Sequence, residues 1–232
     1  MRASYGTSFA AVEGLARTFL CLMIAGLTVA GLTAPAAAQA DATKSIKLVV
    51  LGDSLSAGLG LPGPAAFPAR LQKALKDKGI AVDMINAGVS GDTTSGGLGR
   101  LDWSIPEGTQ GVILELGAND ALRGTDPKVP RAALTEILKR LKERNIKVLL
   151  CGMLAPPNYG ADYAAQFNSI YPDLAKQFDV PLYPFFLEGV AGDSKLNQSD
   201  GMHPTAEGVD IMVRNVLPSV EAFLGTIGGQ PS

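Results

Sequence analysis

The twelve residues SIKLVVLGDSLS, Ser45 to Ser56, decide the fold. The first eight form a continuous leucine-rich and β-branched run that ends at Gly52, a pattern typical of a buried parallel strand. Ser54 follows where this strand turns over, and small flanking residues let the backbone turn so that a serine can project into a cleft. The same residues are also common in turns and at helix N-termini, so this motif alone fits either a projecting serine or a structural helix cap.

Further apolar runs follow, and they alternate with longer stretches of helical spacing. The predicted strands are IAVDMINAG, GVILELG, NIKVLLCG and VPLYPFF, and the predicted helices cover 65–78, 130–144, 161–178 and 205–224. Breaks are expected in the last two helices at Pro172 and Pro218. This alternation predicts one α/β domain with a parallel sheet covered by helices on both faces. Sites in such sheets lie beyond the carboxyl ends of the strands.

The composition limits the classes of protein to which this chain can belong. Hydrophobic residues make up 47% of the 232-residue chain, and the formal net charge is −2, which is typical of a globular domain with a real core. Lys and Arg are dispersed and form no basic stripe, so we expect no nucleic-acid partner. Nothing in the sequence indicates an interaction tail, and we expect a monomer.

The first forty residues do not resemble part of the domain. Thr18 to Ala40 carries no charge, and Ala38 and Ala40 form an A-x-A pattern before Asp41. This pattern predicts a secretory signal peptide over residues 1–40, with a mature domain over 41–232. The alternative is a retained membrane anchor, because the apolar run approaches a minimal span. We expect cleavage, no stable membrane insertion afterwards, and a periplasmic or secreted location.

A second motif, DGMHP, contains the only histidine of the chain, His203. Histidine supplies a base whose ordinary pKa lies near neutral pH. Asp200 precedes it by three residues, so one turn can bring the carboxylate to the imidazole and hold its tautomer, and Pro204 is expected to start the last helix. The alternatives are a surface histidine with Asp200 as a cap, or a metal site, for which one histidine and one aspartate are a poor ligand set.

Two more candidates follow the second and third predicted strands. In NAGVSGDT, Gly91 lets a backbone N–H approach a substrate oxygen, although a tight glycine turn needs the same residue. In GAND, Asn119 places an amide donor that can face a developing oxyanion, although an Asn-Asp turn is also common. A serine, two hydrogen-bond donors, and a histidine with its neighbouring aspartate therefore occur along the chain, and the first three follow the ends of predicted strands.

With these motifs the chain resembles the SGNH hydrolase superfamily, also called GDSL esterases. The matching blocks are GDSLS (Gly52–Ser56), SGDT with Gly91, GAND with Asn119, and DGMHP with Asp200 and His203. The likeness to the bacterial periplasmic arylesterases and acyl thioesterase/lysophospholipases extends to LRG, NYG and IYPDLAKQFDVPLYPFF, and so covers essentially the whole mature chain. Ala118 departs from that group, which often carries a second glycine there.

The resemblance implies a flavodoxin-like α/β/α sandwich of about five parallel strands. It also implies a serine esterase that acts on acyl esters, including aryl esters and lysophospholipids, and on acyl thioesters. Ser54 is expected to be the nucleophile, with Asp200 and His203 completing the triad. The backbone N–H groups of Ser54 and Gly91 and the side chain of Asn119 are expected to form the oxyanion hole. No metal or organic cofactor is expected.

Leu122 and Tyr159 are candidate walls of the acyl groove, although ordinary packing explains both nearly as well. Two rival functions remain at this point. A carbohydrate deacetylase would keep the fold but is expected to need more aromatic residues than the 6% present. A phosphate-binding domain could use the glycine-rich turn Gly52–Gly60, but that turn lacks the P-loop lysine and leaves His203 without a role.

Overall fold

The computed structural model describes residues 45–228. The predicted signal peptide over residues 1–40 lies outside the described residues. Within residues 45–228, no helix combines the length and the apolar character that a membrane span requires.

Five parallel strands form the central sheet in the order β2-β1-β3-β4-β5. Their bounds are β1 Ile46–Gly52, β2 Val82–Gly88, β3 Gly111–Glu115, β4 Lys147–Cys151 and β5 Leu182–Tyr183. Four of the predicted strands are present at nearly the predicted positions, and β3 is buried along its whole length, as its apolar run predicts. The run VPLYPFF pairs over only two residues, because prolines flank Leu182–Tyr183 on both sides and have no N–H to donate.

Nine α-helices occur among the described residues. Their bounds are α1 Ser54–Ala57, α2 Phe67–Asp77, α3 Thr94–Gly99, α4 Leu101–Ser104, α5 Ala118–Leu122, α6 Lys128–Glu143, α7 Ala161–Asn168, α8 Ile170–Phe178 and α9 Ala206–Gly228. Helices α2 and α9 pack against each other, and α6 contacts α3 and α8. The connection from β1 to β2 runs one way across the sheet, and those from β2 to β3 and on to β4 and β5 run the other way. Since such connections are right-handed, these two groups of helices cover opposite faces of the sheet. The predicted three-layer sandwich is confirmed.

Helix α6 shows how the sequence specifies these layers. Its apolar residues recur at helical spacing and form one buried face: Pro130, Ala133, Leu134, Ile137, Leu138 and Leu141. Arg140 and Lys142 lie in its last turn, where their charge complements the exposed carbonyl groups. The face packs onto a sheet whose central strands are fully buried at Leu48–Leu51 and Val112–Leu114.

The three predictions about proline in the later helices need correction. The 161–178 segment does divide, but at Ser169, and Pro172 lies in the first turn of α8, where its missing N–H is least costly. Helix α9 continues through Pro218 without interruption, since its buried face, including Val216 and Val220, packs on the core. Pro204 does not start α9. It forms a bridge with Asn197, and α9 begins at Ala206.

Candidate active site

The predicted site residues gather at the carboxyl edge of the sheet. Strand β1 has β2 on one side and β3 on the other, which makes the ends of these three strands the topological switch point. Ser54 follows β1, Gly91 follows β2 and Asn119 follows β3, as the sequence predicts. The loop that carries Asp200 and His203 reaches the same edge from the start of α9.

Ser54 is the first residue of the short helix α1, and its position depends on two neighbours. The Asp53 side chain caps the helix by accepting a hydrogen bond from the Leu55 N–H at 3.0 Å. Gly58 ends the helix in the left-handed conformation, with φ at 81°, so the chain reverses after one turn. Because Ser54 occupies the first helical position, its backbone N–H has no helical carbonyl to bond and is free for a ligand.

Asp200 and His203 form a compact turn. The Asp200 carboxylate accepts hydrogen bonds from the backbone N–H groups of Met202 at 2.9 Å and His203 at 3.0 Å. Its other oxygen lies 2.6 Å from His203 Nδ1. These hydrogen bonds, the backbone ones foremost, lower the pKa of Asp200 to about 2, so the carboxylate is ionised at neutral pH.

This pairing fixes the tautomer of His203. An ionised carboxylate can only accept a hydrogen bond, so Nδ1 of His203 carries the proton that faces Asp200. The opposite nitrogen, Nε2, lies 2.8 Å from Ser54 Oγ, across 149 residues of chain. It therefore accepts the hydrogen bond from the serine hydroxyl. The structure brings together the serine, the histidine and the aspartate in the order that proton transfer requires.

Gly91 lies in the exposed turn after β2. Its φ of 80° is a conformation that a residue with a side chain rarely adopts. Its carbonyl accepts a hydrogen bond from Arg123 at 2.9 Å, and its N–H makes no hydrogen bond within residues 45–228. The arrangement leaves a backbone donor open beside the nucleophile turn.

Asn119 lies in the first turn of α5, next to Gly117, whose φ is 120°. Its amide nitrogen donates to Asp92 O at 2.9 Å and to Asp53 Oδ2 at 3.2 Å. The positive φ falls on Gly117 and not on Ala118, so the alanine that departs from the family pattern is accommodated without strain. Both amide hydrogens have partners, and the longer bond, to Asp53, is the one more easily shared with a substrate oxygen.

Sequence reasoning missed the side chains that hold these loops together. The buried Arg100 donates to Gly52 O and Ala87 O, the carbonyls at the ends of β1 and β2, each at 2.8 Å. Its Nε also contacts Asp92 at 2.6 Å, which places the Asp92 carbonyl under Asn119. Asp120 performs a similar task by accepting from the backbone and hydroxyl of Thr94. A single arginine in GGLGRLD carries no local sequence signal for such contacts.

Glu115 is a second missed residue, at the end of β3 and fully buried. Its Oε2 accepts from Ser56 Oγ at 2.7 Å and from the Asp53 N–H at 3.3 Å, so it supports the nucleophile turn from below. Its Oε1 is buried and has no hydrogen-bond partner among the described residues. Burial, together with the nearby Asp53, raises the pKa of Glu115 well above its usual value, and burial raises that of Asp53 to about 6.

Glu115→Gln should flatten the pH dependence of stability above about pH 5. In the folded state Glu115 keeps its proton above 4.5, where the unfolded chain releases it, so stability falls by about 1.4 kcal/mol per pH unit over that window. Glutamine keeps an acceptor for Ser56 and removes the contribution of Glu115 to this slope, while Asp53, whose pKa burial raises to about 6, still contributes below that pH. Urea unfolding from about pH 5 to 8 measures it.

The matched control for this prediction is Glu136→Gln. Glu136 is a half-buried glutamate of α6 paired with Arg140, and that hydrogen bond lowers its pKa, so it titrates below this window. The control should leave the slope above pH 5 unchanged. A Glu115→Gln protein whose stability falls with pH as steeply as the wild type would show that Glu115 is ionised in the fold.

A groove of about 460 Å³ opens beside Ser54 and His203. Most of its walls are apolar: Leu55, Leu122, Met153, Leu154, Pro156, Pro157, Phe185, Leu187 and Met202. Leu122 lines it, as expected. Tyr159 is not among the lining residues; its hydroxyl donates to the Leu122 carbonyl at 2.8 Å and so supports that wall from outside.

No cluster of metal-ligating side chains occurs within the described range 45–228.

Comparison with known proteins agrees with this geometry. A family model for the GDSL-like lipase/acylhydrolases matches residues 50–211. Esterase TesA of Pseudomonas aeruginosa is 40% identical over 205 residues, which cover 88% of this chain and 98% of that protein. Thioesterase 1/protease 1/lysophospholipase L1 of Escherichia coli K12 is 41% identical over 178 residues, covering 75% of this chain and 84% of that one. The crystal structure of AlinE4, an SGNH-hydrolase family esterase, has a TM-score of 0.66 at 44% identity and covers 82% of this chain and 98% of AlinE4. The chain belongs to the GDSL-like lipase/acylhydrolase family.

Proposed function

We propose that this hydrolase cleaves medium-chain acyl esters through an acyl-enzyme on Ser54. The observation that carries the proposal is the 2.8 Å approach of His203 Nε2 to Ser54 Oγ at the mouth of the apolar groove. A serine is a weak nucleophile at its own pKa, and an adjacent base with the correct tautomer activates it. The groove supplies the apolar surface that an acyl chain prefers.

His203 takes the Ser54 proton as Oγ attacks the ester carbonyl. Asp200 keeps the imidazole oriented and stabilises its protonated form without accepting the proton itself. His203 then gives the proton to the leaving alcohol, and the ester bond breaks. In the second half, water loses a proton to His203, attacks the acyl-enzyme and releases the acid.

The developing oxyanion is stabilised by the backbone N–H groups of Ser54 and Gly91 and by the Asn119 amide. The first two make no hydrogen bond within the described part of the chain, so they meet the oxyanion without first losing a partner. Asn119 keeps its bond to Asp92 O and shares the hydrogen that faces Asp53. Asp53 therefore has a structural role: it caps α1 and holds this amide in position.

The substrates that fit this site are aryl esters and lysophospholipids, and acyl thioesters follow from the same chemistry. The relatives named above include an esterase and a thioesterase/lysophospholipase. The largely apolar lining favours an acyl chain over a sugar, which would need polar partners along the groove. We further propose that residues 1–40 are a signal peptide, that the enzyme works in the periplasm or outside the cell, and that it is monomeric.

Hydrolysis of p-nitrophenyl esters from acetate to palmitate tests the proposed substrate class. We expect kcat/KM to rise from acetate to medium chains, because each added methylene that enters the groove contributes about 0.8 kcal/mol. Acetylated xylan serves as the comparison substrate and should be hydrolysed poorly. A strong preference for acetate and for acetylated xylan would instead indicate a carbohydrate deacetylase.

A further inference from the structure

Exposed hydrophobic side chains gather on one edge of the molecule. The most exposed large ones within residues 45–228 are Leu59, Val89, Trp103, Leu122, Val129, Leu154, Tyr159 and Met202. All except Trp103 lie in segments near the carboxyl ends of the strands. Trp103 lies in α4, which leads into the start of β3. Contacts of Asp102 and Ile105 with Arg140 and Arg144 tie α4 to the far end of α6.

Three of these residues line the groove, and two more are bonded through their backbones to the nucleophile turn beside it; together they are called the apolar rim: Leu122, Leu154, Met202, Leu59 and Val89. Leu122, Leu154 and Met202 belong to the groove wall as well, at 49%, 45% and 48% exposure. The apolar lining of the groove therefore continues outward onto the surface.

Leu59 and Val89 are not explained by the reaction. They do not line the groove, yet they are 45% and 42% exposed. Each is bonded to the nucleophile turn: the Leu59 N–H donates to Ser54 O at 3.2 Å, and the Val89 N–H donates to Gly52 O at 3.1 Å. These bonds place two exposed apolar residues beside the nucleophile turn, on the side of β1 and β2. Clustered exposed hydrophobic residues of this kind mark interaction surfaces more often than isolated ones do.

We propose that the apolar rim docks the enzyme on a lipid surface, so that an acyl chain passes from the lipid layer into the groove. This inference rests on the proposed function, because only an amphiphilic substrate resides in such a layer. When an acyl chain leaves the lipid and enters water on its way to the groove, each exposed methylene disfavours the transfer about fourfold. When the groove opening contacts the lipid directly, the acyl chain avoids this exposure to water, because the apolar rim connects the lipid layer with the groove.

The charges near the rim define which lipid surface fits. At this edge the Arg123 guanidinium donates to Gly91 O, and Lys195 lies in the same loop as Asp193 and Asp200, so both signs of charge occur beside the rim. An anionic membrane would therefore gain little from this edge. The structure fits a zwitterionic surface, held by apolar contact, and the binding should persist at high salt because apolar burial is not screened.

The double variant Leu59→Ser/Val89→Ser tests the rim without altering the groove. We expect hydrolysis of lysophosphatidylcholine carried in phosphatidylcholine vesicles to fall by about tenfold, as apolar surface is lost. Hydrolysis of soluble p-nitrophenyl butyrate should stay unchanged, which also shows that the variant folds. Trp103→Ser is the matched control: it removes a side chain that is 73% exposed, away from the rim, and should leave both activities unchanged.

Co-sedimentation with phosphatidylcholine vesicles tests docking independently of activity. The wild type and Trp103→Ser should pellet with the vesicles at low and high salt, and the double variant should remain in the supernatant. Equal sedimentation of all three, or binding lost at high salt, would overturn docking by the rim. A wild-type dimer that the double variant dissociates would also overturn it, since the rim would then join two copies.

The two proposals fail differently. If the wild type binds vesicles but cleaves neither monomeric nor vesicle-borne lysophosphatidylcholine, the proposed lysophospholipid substrate is wrong and docking stands. If it cleaves monomeric lysophosphatidylcholine and the double variant is equally active on vesicles, the substrate is right and docking is wrong.

Discussion

Ser54→Ala should lower kcat for p-nitrophenyl butyrate by about 10⁴-fold or more while the protein keeps its fold. The hydroxyl is the only group of the site placed to form the acyl-enzyme, and its removal leaves His203 Nε2 without a reacting partner. Ser54 is 7% exposed, and alanine fits the same turn because Asp53 caps α1 through its own side chain. The remaining activity would come from the hydrogen-bond donors and the groove.

Ser56→Ala is the matched control, since it removes a buried hydroxyl two residues further along the same helix. Ser56 contacts Glu115 and not His203, so its loss should cost stability by about 1–3 kcal/mol and activity far less than Ser54→Ala. Steady-state kinetics and circular dichroism on both variants separate the two effects. Similar losses of kcat in the two variants would assign the effect to the turn as a whole and contradict a nucleophilic role for Ser54.

His203→Ala should cost about as much as Ser54→Ala, and the double variant little more than either. Residues that act as a unit give strongly non-additive effects, because removing one already disables the others. Measuring kcat for the two single variants and the double variant checks this. Additive losses would show that Ser54 and His203 act independently, which the 2.8 Å contact does not fit.

The sequence was informative where function and fold depend on local patterns. The run Ser45–Gly52 predicts β1 because burial on both faces requires a continuous apolar strand, and Ser54 follows from the turn after it. The switch point could also be anticipated, since the candidate donors follow successive strands. The approach of His203 to Ser54 was not a matter of local pattern: 149 residues separate them, and only the resemblance to a known family placed them together.

Glu115 and Arg100 show what the sequence could not provide. A carboxylate inside the apolar run GVILELG was a usable signal, because a buried charge must be neutralised or paired. Its partners, however, come from the β1 turn, 59 and 62 residues away. Arg100 similarly depends on carbonyls at the ends of two strands, which become neighbours only after the sheet has formed. Such contacts are set by topology and leave no periodic pattern.

Asn119→Ala should lower kcat by about 10²–10³-fold and leave KM little changed. The amide is proposed to meet the oxyanion, which exists only after attack by Ser54, so its contribution falls on the transition state. The variant also removes one of the hydrogen bonds that lower the pKa of the buried Asp53.

A phosphonate ester that reacts with Ser54 distinguishes an oxyanion donor from a merely structural residue. Its addition places a negative oxygen where the oxyanion forms, so Asn119→Ala should slow inactivation by about the same factor as hydrolysis. Asn215→Ala is the control, because its amide donates to Glu188 O on the surface and should affect neither rate. If Asn119→Ala raises KM with kcat intact, or slows hydrolysis without slowing inactivation, the amide holds the loop and does not stabilise the transition state. Parallel losses in both reactions would place Asn119 in the oxyanion hole, because the two reactions share the charged oxygen and the nucleophile but not the leaving group.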